Sequence, residues 1–370
     1  MTAAGMAVTG AWRDGDPVGR RRFAEIPPMR LERGTALPRA RLAYETWGRL
    51  NPARDNAVLV LHAMSGDSHV AGDAEPGHPG PGWWSGVVGP GLGIDTDRWF
   101  VVCPNALGGC QGSTGPSAPA SDARPWGSRW PALTIRDLVA AETAVASALG
   151  VRSWAAVVGG SMGGMRALEW ALSRPEQVER AVVLAVGAEA SADQIATCSV
   201  QIDAIRADPN WQAGDYYDGP AGPVDGMAIA RRIAHLTYRS AMEIDSRFGR
   251  ETRFGGDPLS EGFAVESWLD HVVAGLVNRF DAGTYVALTE AMNTHDIGRG
   301  RGGAVSALSR MRARPTIVGV DSDRLYPLHQ QAELAEQLGV PLRVVRSQRG
   351  HDGFLVETDQ VNEILAEALR

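Results

Sequence analysis

The pentapeptide Gly159-Gly160-Ser161-Met162-Gly163 lies between a short apolar run, Trp154-Ala155-Ala156-Val157-Val158, and a stretch with helical spacing over 162–173. Read as G-x-S-x-G, it is a nucleophile elbow: a serine held on a tight, strained strand-to-helix turn, with its hydroxyl pointing out of a sheet edge. The flanking glycines are required because a Cβ there would meet the neighbouring strand or helix where the backbone reverses. The helix that follows directs its unpaired N–H groups and its positive end at the space above Ser161, a place suited to an oxyanion. A chain with this turn is constrained to an α/β sheet whose strand ends carry the chemistry.

A nucleophilic serine needs a base, and the base needs an orienting acid. In sheets of this kind the chain order is Ser, then Asp or Glu, then His. Pro315-Thr316-Ile317-Val318-Gly319-Val320 reads as a buried strand followed by Asp321-Ser322-Asp323-Arg324. Pro341-Leu342-Arg343-Val344-Val345 reads as the next strand, followed by Gly350-His351-Asp352-Gly353. Parallel strands bring both loops to the edge at which the strand before Ser161 ends. Asp321 and Asp323 compete for the acid role. Asp323 lies further into the loop and has the longer reach toward a histidine on the neighbouring loop. Of the eight histidines, only His351 follows the last strand. His295, before Asp296, is its rival and reads as structural or rim-lining.

Composition narrows the class. The 370 residues are 44% apolar, enough for a sizeable core, and the net charge of −7 leaves no basic footprint for nucleic acid or an anionic membrane. Every basic side chain is an arginine. Without lysine, P-loop and Schiff-base chemistry is excluded, pyridoxal phosphate linkage included. The three cysteines, Cys103, Cys110 and Cys198, have neither metal nor C-x-x-C spacing and read as reduced thiols. No metal site and no resident cofactor are expected. Residues 1–22 lack the apolar segment of a signal peptide and read as a flexible leader. No apolar run reaches the length of a membrane span, so the expected compartment is the cytoplasm.

The element pattern divides the chain. Strands are expected over 39–47, 56–61, 99–103, 154–158 and 181–186, with helices over 135–149, where Gly150 signals the C-cap, and over 162–173. Alternating β and α elements with fully apolar strands imply a mostly parallel sheet with helices on both faces, assigned to 23–187 and 309–370. Between them, residues 188–308 lack such strands and read as helices over 191–207, 226–240, 262–278 and 284–293. A helical segment inserted between two strands of one sheet is a lid over its active edge.

The loop after the 56–61 strand is His62-Ala63-Met64-Ser65-Gly66-Asp67. In an elbow-bearing sheet this loop supplies one oxyanion N–H and the residue after the nucleophile supplies the other, which nominates the backbone amides of Met64 and Met162. A second glycine-rich loop, 105–116, has no lysine and no helix opening after it, and reads as a structural loop near the site.

Several longer segments resemble the homoserine O-acetyltransferases: residues 62–69, Gly82-Trp83-Trp84, 107–116, 159–165, Asn278-Arg279-Phe280-Asp281, 295–303 and 350–354. The similarity spans about 25–368, lid included. This resemblance implies an α/β-hydrolase core with a helical lid and a homodimer built through the lid. It implies a ping-pong reaction in which the serine takes acetyl from acetyl-CoA and the hydroxyl of L-homoserine then takes it from the serine, a step of methionine biosynthesis. It places the triad at Ser161, Asp323 and His351, and substrate recognition at Arg231 and Asp352, with Tyr238 in the pocket. The chemistry agrees: an arginine fork suits the carboxylate of an amino acid, and a carboxylate beside the base suits its ammonium. On a helix, Arg231, His235 and Tyr238 share one face. A succinyl donor, a serine or other acceptor, an ester or thioester hydrolase with the same triad, and a non-catalytic binder remain as rival readings.

Overall fold

A computed structural model describes residues 8–370. Eight strands form one sheet: β1 (Arg22–Ile26), β2 (Ala40–Trp47), β3 (Ala57–Leu61), β4 (Phe100–Pro104), β5 (Ala156–Gly160), β6 (Arg180–Leu184), β7 (Arg314–Val320) and β8 (Leu342–Val345). Their spatial order is β1-β2-β4-β3-β5-β6-β7-β8. β1 pairs antiparallel with β2 and β2 with β4, while every other pairing is parallel.

β3, β4 and β5 are buried along their whole length, which is why they read as unbroken apolar runs rather than alternating ones. Successive side chains still separate by face. Leu59, Val157, Val183 and Ile317 join the core cluster under α1 (Ile135–Leu149) and α2 (Met162–Ser173). Val58, Val158, Val182 and Val318 join the cluster that α8 (Thr358–Ala368) closes with Val361, Ile364 and Leu365. α1 starts on a capping box between Thr134 and Asp137 and stops at Gly150 in the left-handed conformation, as its sequence signals predict.

The chain leaves the sheet after β6 and returns at β7. In between stand the lid helices α3 (Ala192–Arg206), α4 (Val224–Tyr238), α5 (Ala264–Val277) and α6 (Ala282–Asn293), joined by shorter turns of helix. α4 packs against both α3 and α5, and α6 packs against α3. α7 (Leu328–Leu338) then connects β7 to β8. From β3 the chain moves to β4 on one side and then to β5 on the other. The carboxyl ends of β3 and β5 therefore flank a topological switch point, the crevice at which open α/β sheets hold ligands.

Two expectations change. Strand β5 runs to Gly160 rather than ending at 158, so Gly159 and Gly160 belong to the strand, while Gly163 lies in the first turn of α2. The stretch read as a flexible leader packs against the body from residue 8 onward. Thr9 Oγ1 donates to Asp281 Oδ1 (2.8 Å), and the Trp12 amide donates to the Cys110 carbonyl (3.0 Å). The buried Arg21 donates to Gln111 Oε1 (3.0 Å), and β1 begins at Arg22. These anchors are polar, so hydropathy does not flag them. The rest of that stretch, 1–7, lies outside the described residues.

Candidate active site

Ser161 sits between β5 and α2 with φ 57° and ψ −126°, a backbone conformation that L-residues rarely adopt and that costs on the order of 1–3 kcal/mol. Close packing enforces it. A Cβ on Gly159 would overlap the Gly163 carbonyl, and one on Gly163 would overlap the Leu61 carbonyl at the end of β3. The Ser161 amide donates to the Leu184 carbonyl (3.0 Å), which ties the elbow to β6. The side chain is 6% exposed and lines a cavity of about 340 Å³ beneath the lid.

His351 lines the same cavity. Its Nδ1 donates to Asp323 Oδ2 (2.6 Å), and Asp323 Oδ1 accepts from the amides of Leu325 (2.8 Å) and Tyr326 (2.9 Å). Three donors therefore fix one carboxylate. The imidazole is enclosed by the rings of Tyr326 at 5.1 Å and Phe354 at 5.5 Å. Burial opposes its charged form, yet the charge and hydrogen bond of Asp323, with Asp352 further off, prevail and hold His351 above its ordinary value. Its Nε2, the atom free to work on a substrate or a serine, is buried and has no protein partner. Asp321, the other aspartate of the loop, is exposed and accepts from the Ser347 amide (2.9 Å). Of the two aspartates, Asp323 is the one in contact with His351. His295, in the loop after the helix Ala282–Asn293, is buried with Nε2 on the Gly187 carbonyl (3.0 Å), and stands outside the cavity lining.

Met64 and Met162 are both buried, and Met64 borders the cavity. The Met162 amide opens α2 and has no intrahelical acceptor. Arg231, His235 and Tyr238 on α4 all reach the cavity, as their spacing requires. Arg231 Nε and Nη1 are buried and unpartnered, and the guanidinium lies 5.7 Å from the Tyr238 ring. Burial, then the charges of Arg231 and Arg239, drive His235 down to about 3, so the ring is neutral at working pH. Burial pushes the Tyr238 hydroxyl up to about 12. Asp352 also lines the cavity, but its carboxylate faces Arg239 Nε at 3.0 Å. Burial raises its pKa against the opposing pull of Arg239 and His351.

Two arginines escaped assignment of a role from sequence. Arg239 pairs with Asp352 from the end of α4. Arg279 lines the cavity, with Nη1 donating to the Ser65 carbonyl (2.8 Å). Arg279 stood inside a recognisable motif, the Asn278–Asp281 segment, but nothing local assigned it a partner. Among the described residues one group of metal-ligating side chains converges: Glu45, His69 and His78, all buried, with donor atoms within 4.8 Å. The two imidazoles stack at 4.0 Å and 10°, so their in-plane lone pairs run parallel instead of meeting at one point. Each ring faces one Glu45 oxygen, at 3.0 and 3.1 Å. Although burial opposes charge on both, these contacts bring Glu45 down to about 2 and raise His69, the signature of a buried ion pair.

A model of the alpha/beta hydrolase fold matches residues 56–358. A homoserine O-acetyltransferase of Thermobifida fusca (strain YX) is 61% identical over 371 aligned positions, covering 98% of this chain and 97% of that protein. Among solved structures, esterase E22 superposes with a TM-score of 0.87 at 25% identity, covering 95% of this chain and 99% of its own. The homoserine O-acetyltransferase of Bacillus anthracis superposes with a TM-score of 0.86 at 24% identity, covering 95% and 97%.

Proposed function

Because the chain belongs to the homoserine O-acetyltransferase family on the α/β-hydrolase fold, we propose that it moves an acetyl group from acetyl-CoA to the hydroxyl of L-homoserine, a step that feeds methionine synthesis. His351 Nε2 takes the Ser161 proton as Oγ attacks the thioester carbonyl. The oxyanion rests on the Met64 and Met162 amides. The tetrahedral adduct collapses with expulsion of the CoA thiolate, which takes the proton from His351. In the second half, His351 removes the proton of the homoserine hydroxyl as that oxygen attacks the acetyl-serine. Collapse then returns the proton to Ser161 Oγ and frees O-acetylhomoserine. Asp323 keeps Nδ1 protonated and stabilises the imidazolium that forms in both halves.

The observation that carries the acceptor assignment is Arg231: two buried N–H groups without a partner, facing the cavity that holds Ser161 and His351. A substrate carboxylate can accept from both N–H groups. Tyr238 walls the pocket beside it, and Asp352 receives the ammonium while remaining paired with Arg239. No resident cofactor or metal takes part, and acetyl-CoA is a co-substrate. A homodimer through the lid is supported by the apolar side chains that α4 and its neighbours leave exposed, Ile229, Leu236, Met242 and Phe254 among them. The two fully buried, unpaired thiols Cys103 and Cys110 suit a reducing compartment, the cytoplasm. Among the described residues no helix is long and apolar enough to cross a membrane.

The likeness to an esterase supports one second reading, hydrolysis of the acyl-enzyme. Free-thiol release measured with acetyl-CoA or succinyl-CoA, alone and with homoserine or serine, separates the two. Release that depends on homoserine and favours acetyl-CoA is the expected outcome. Release at the same rate without an acceptor makes the protein a hydrolase, and a preference for succinyl-CoA or serine reassigns the substrates.

A further inference from the structure

The loop that leaves β3 is fixed carbonyl by carbonyl. Arg166 Nη1 donates to the His62 carbonyl (3.1 Å), and the Trp83 indole donates to that of Asp67 (3.0 Å). The Ala63 carbonyl accepts from the Gly66 amide (2.9 Å) and from His62 Nδ1 (2.7 Å), which closes a tight turn over 63–66. The Ser65 carbonyl accepts from Arg279 Nη1.

We propose that Arg279 is a positioning residue for oxyanion stabilisation, acting on the Met64 amide through the Ser65 carbonyl. The coupling is geometric. In a trans peptide the C=O and N–H bonds point in opposite directions. Drawing the Ser65 carbonyl toward Arg279 turns the Gly66 N–H, which belongs to the same peptide, toward the Ala63 carbonyl. Anchoring the Ala63 carbonyl in turn points the Met64 N–H, its partner in that peptide, the opposite way. Met64 borders the cavity, and its amide makes no hydrogen bond among the described residues. Arg279 is itself held from behind: its own carbonyl accepts from Gln111 Nε2 (2.7 Å), and Gln111 is gripped by the buried Arg21. The guanidinium thus lies at the end of a rigid chain of contacts, reaching from the lid to a loop of the sheet 214 residues away in sequence. It also lines the cavity as a cation, adding a field that favours negative charge on the reacting oxygen.

The proposal rests on the acyl-serine reading, so the test begins with the wild-type protein. Acetyl-CoA without acceptor must leave an acetyl group on Ser161, read by intact mass and peptide mapping. Its absence refutes that reading and this proposal with it. Given acetyl-Ser161, Arg279→Met and Arg279→Lys are compared in single-turnover acetylation and in steady state. The expected result for the methionine variant is a fall in kcat, and in the acetylation rate, of about tenfold to 10²-fold, below the 10²–10³-fold cost of removing an oxyanion donor outright. KM for homoserine changes less than twofold. Affinity for a serine-directed boronic acid, a tetrahedral mimic, falls in parallel with kcat. Lysine, which keeps the cation and one donor, recovers part of each loss. A merely structural arginine would not couple boronate affinity to kcat in folded protein. A rise in KM for homoserine with kcat and boronate affinity unchanged would overturn the proposal and make Arg279 a substrate ligand, and unchanged kinetics in both variants would also overturn it.

Discussion

Arg231 offers a test in which stability and activity move in opposite directions. Its Nε and Nη1 are buried and meet no acceptor belonging to the protein. Each unmet buried donor costs about 1–3 kcal/mol, whereas a hydrogen bond from a charged donor to a carboxylate contributes about 1.5–3 kcal/mol. Arg231→Met keeps an apolar stem of similar length against Tyr238 and removes both donors. Losing the stacking contact offsets part of the relief, since a cation over an aromatic ring contributes about 0.5–2 kcal/mol. The free variant is therefore expected to be more stable by about 1–3 kcal/mol, a rise in Tm of about 1–4 °C for a chain of this size. The substrate carboxylate meanwhile loses a bidentate partner worth about 3–6 kcal/mol, so kcat/KM for homoserine falls about 10²–10⁴-fold. Acetylation of Ser161 by acetyl-CoA, which involves no carboxylate, stays within about threefold, because a first half-reaction in which Arg231 takes no part feels only indirect effects. Differential scanning fluorimetry gives the first quantity, and thiol release with and without homoserine gives the other two. A fall in Tm, or an acetylation rate that drops as far as transfer does, would show that Arg231 supports the fold instead of the acceptor.

Other consequences are as direct. His351 is held above its ordinary value of 6.5, and only the neutral ring is a base, so transfer rises with pH through that raised value. The stability that the protonated His351–Asp323 pair contributes is fully present below 6.5 and is lost over the same rise, so a pH series of kcat and of Tm should cross. Asp323→Asn removes the charge that raises His351 and is expected to cut kcat by about 10³–10⁴-fold with little change in fold, read by kinetics beside circular dichroism. Gly163→Ala drives a methyl into the Leu61 carbonyl and should cost about 3 kcal/mol or more, seen as loss of soluble yield or a large fall in Tm. Glu45→Gln leaves the buried His69, whose pKa Glu45 raises, without its counter-charge. It should destabilise by about 3–5 kcal/mol in urea unfolding and abolish the acid sensitivity that Glu45 confers as pH falls from 4.5 toward 2.

The elements that position chemistry were legible where the signal is local. The elbow declares itself because Gly159 and Gly163 face backbone carbonyls at contact distance, and no other residue type fits there. His351 was legible from order alone, as the last strand's loop. The face of α4 that carries Arg231, His235 and Tyr238 followed from helical spacing. Asp323 against Asp321 was only weakly legible, because both lie in one loop and the decision is made by two amides, of Leu325 and Tyr326, that hold Asp323 inward. The pairing of Asp352 with Arg239 and of Arg279 with Ser65 had no local signal, since each joins the lid to the sheet across a hundred residues or more. The docked segment from residue 8 was missed for a related reason: its anchors are single polar contacts to distant residues, which neither periodicity nor hydropathy registers.

The fold is shared with an esterase, so the triad alone does not decide between water and homoserine as the acceptor of the acetyl group. The charges around it bear on that choice. Two arginines, Arg231 and Arg279, line the cavity with two aspartates, Asp67 and Asp352, and Asp352 is already engaged by a third arginine, Arg239. Before the acceptor arrives, Arg231 has buried donors that nothing in the protein satisfies. Water that entered to reach acetyl-Ser161 would bring no charge to Arg231, whereas homoserine brings a carboxylate and a hydroxyl on one molecule. Binding energy from the carboxylate end is then available to order the hydroxyl beside His351 and to displace solvent from the acyl group. On this account the ratio of transfer to hydrolysis is set at Arg231, remote from the bond that breaks. The Arg231→Met variant should therefore hydrolyse its acetyl-enzyme at the wild-type rate while losing transfer. A propionate or butyrate added to wild-type protein should slow transfer by competing for Arg231, without accelerating hydrolysis.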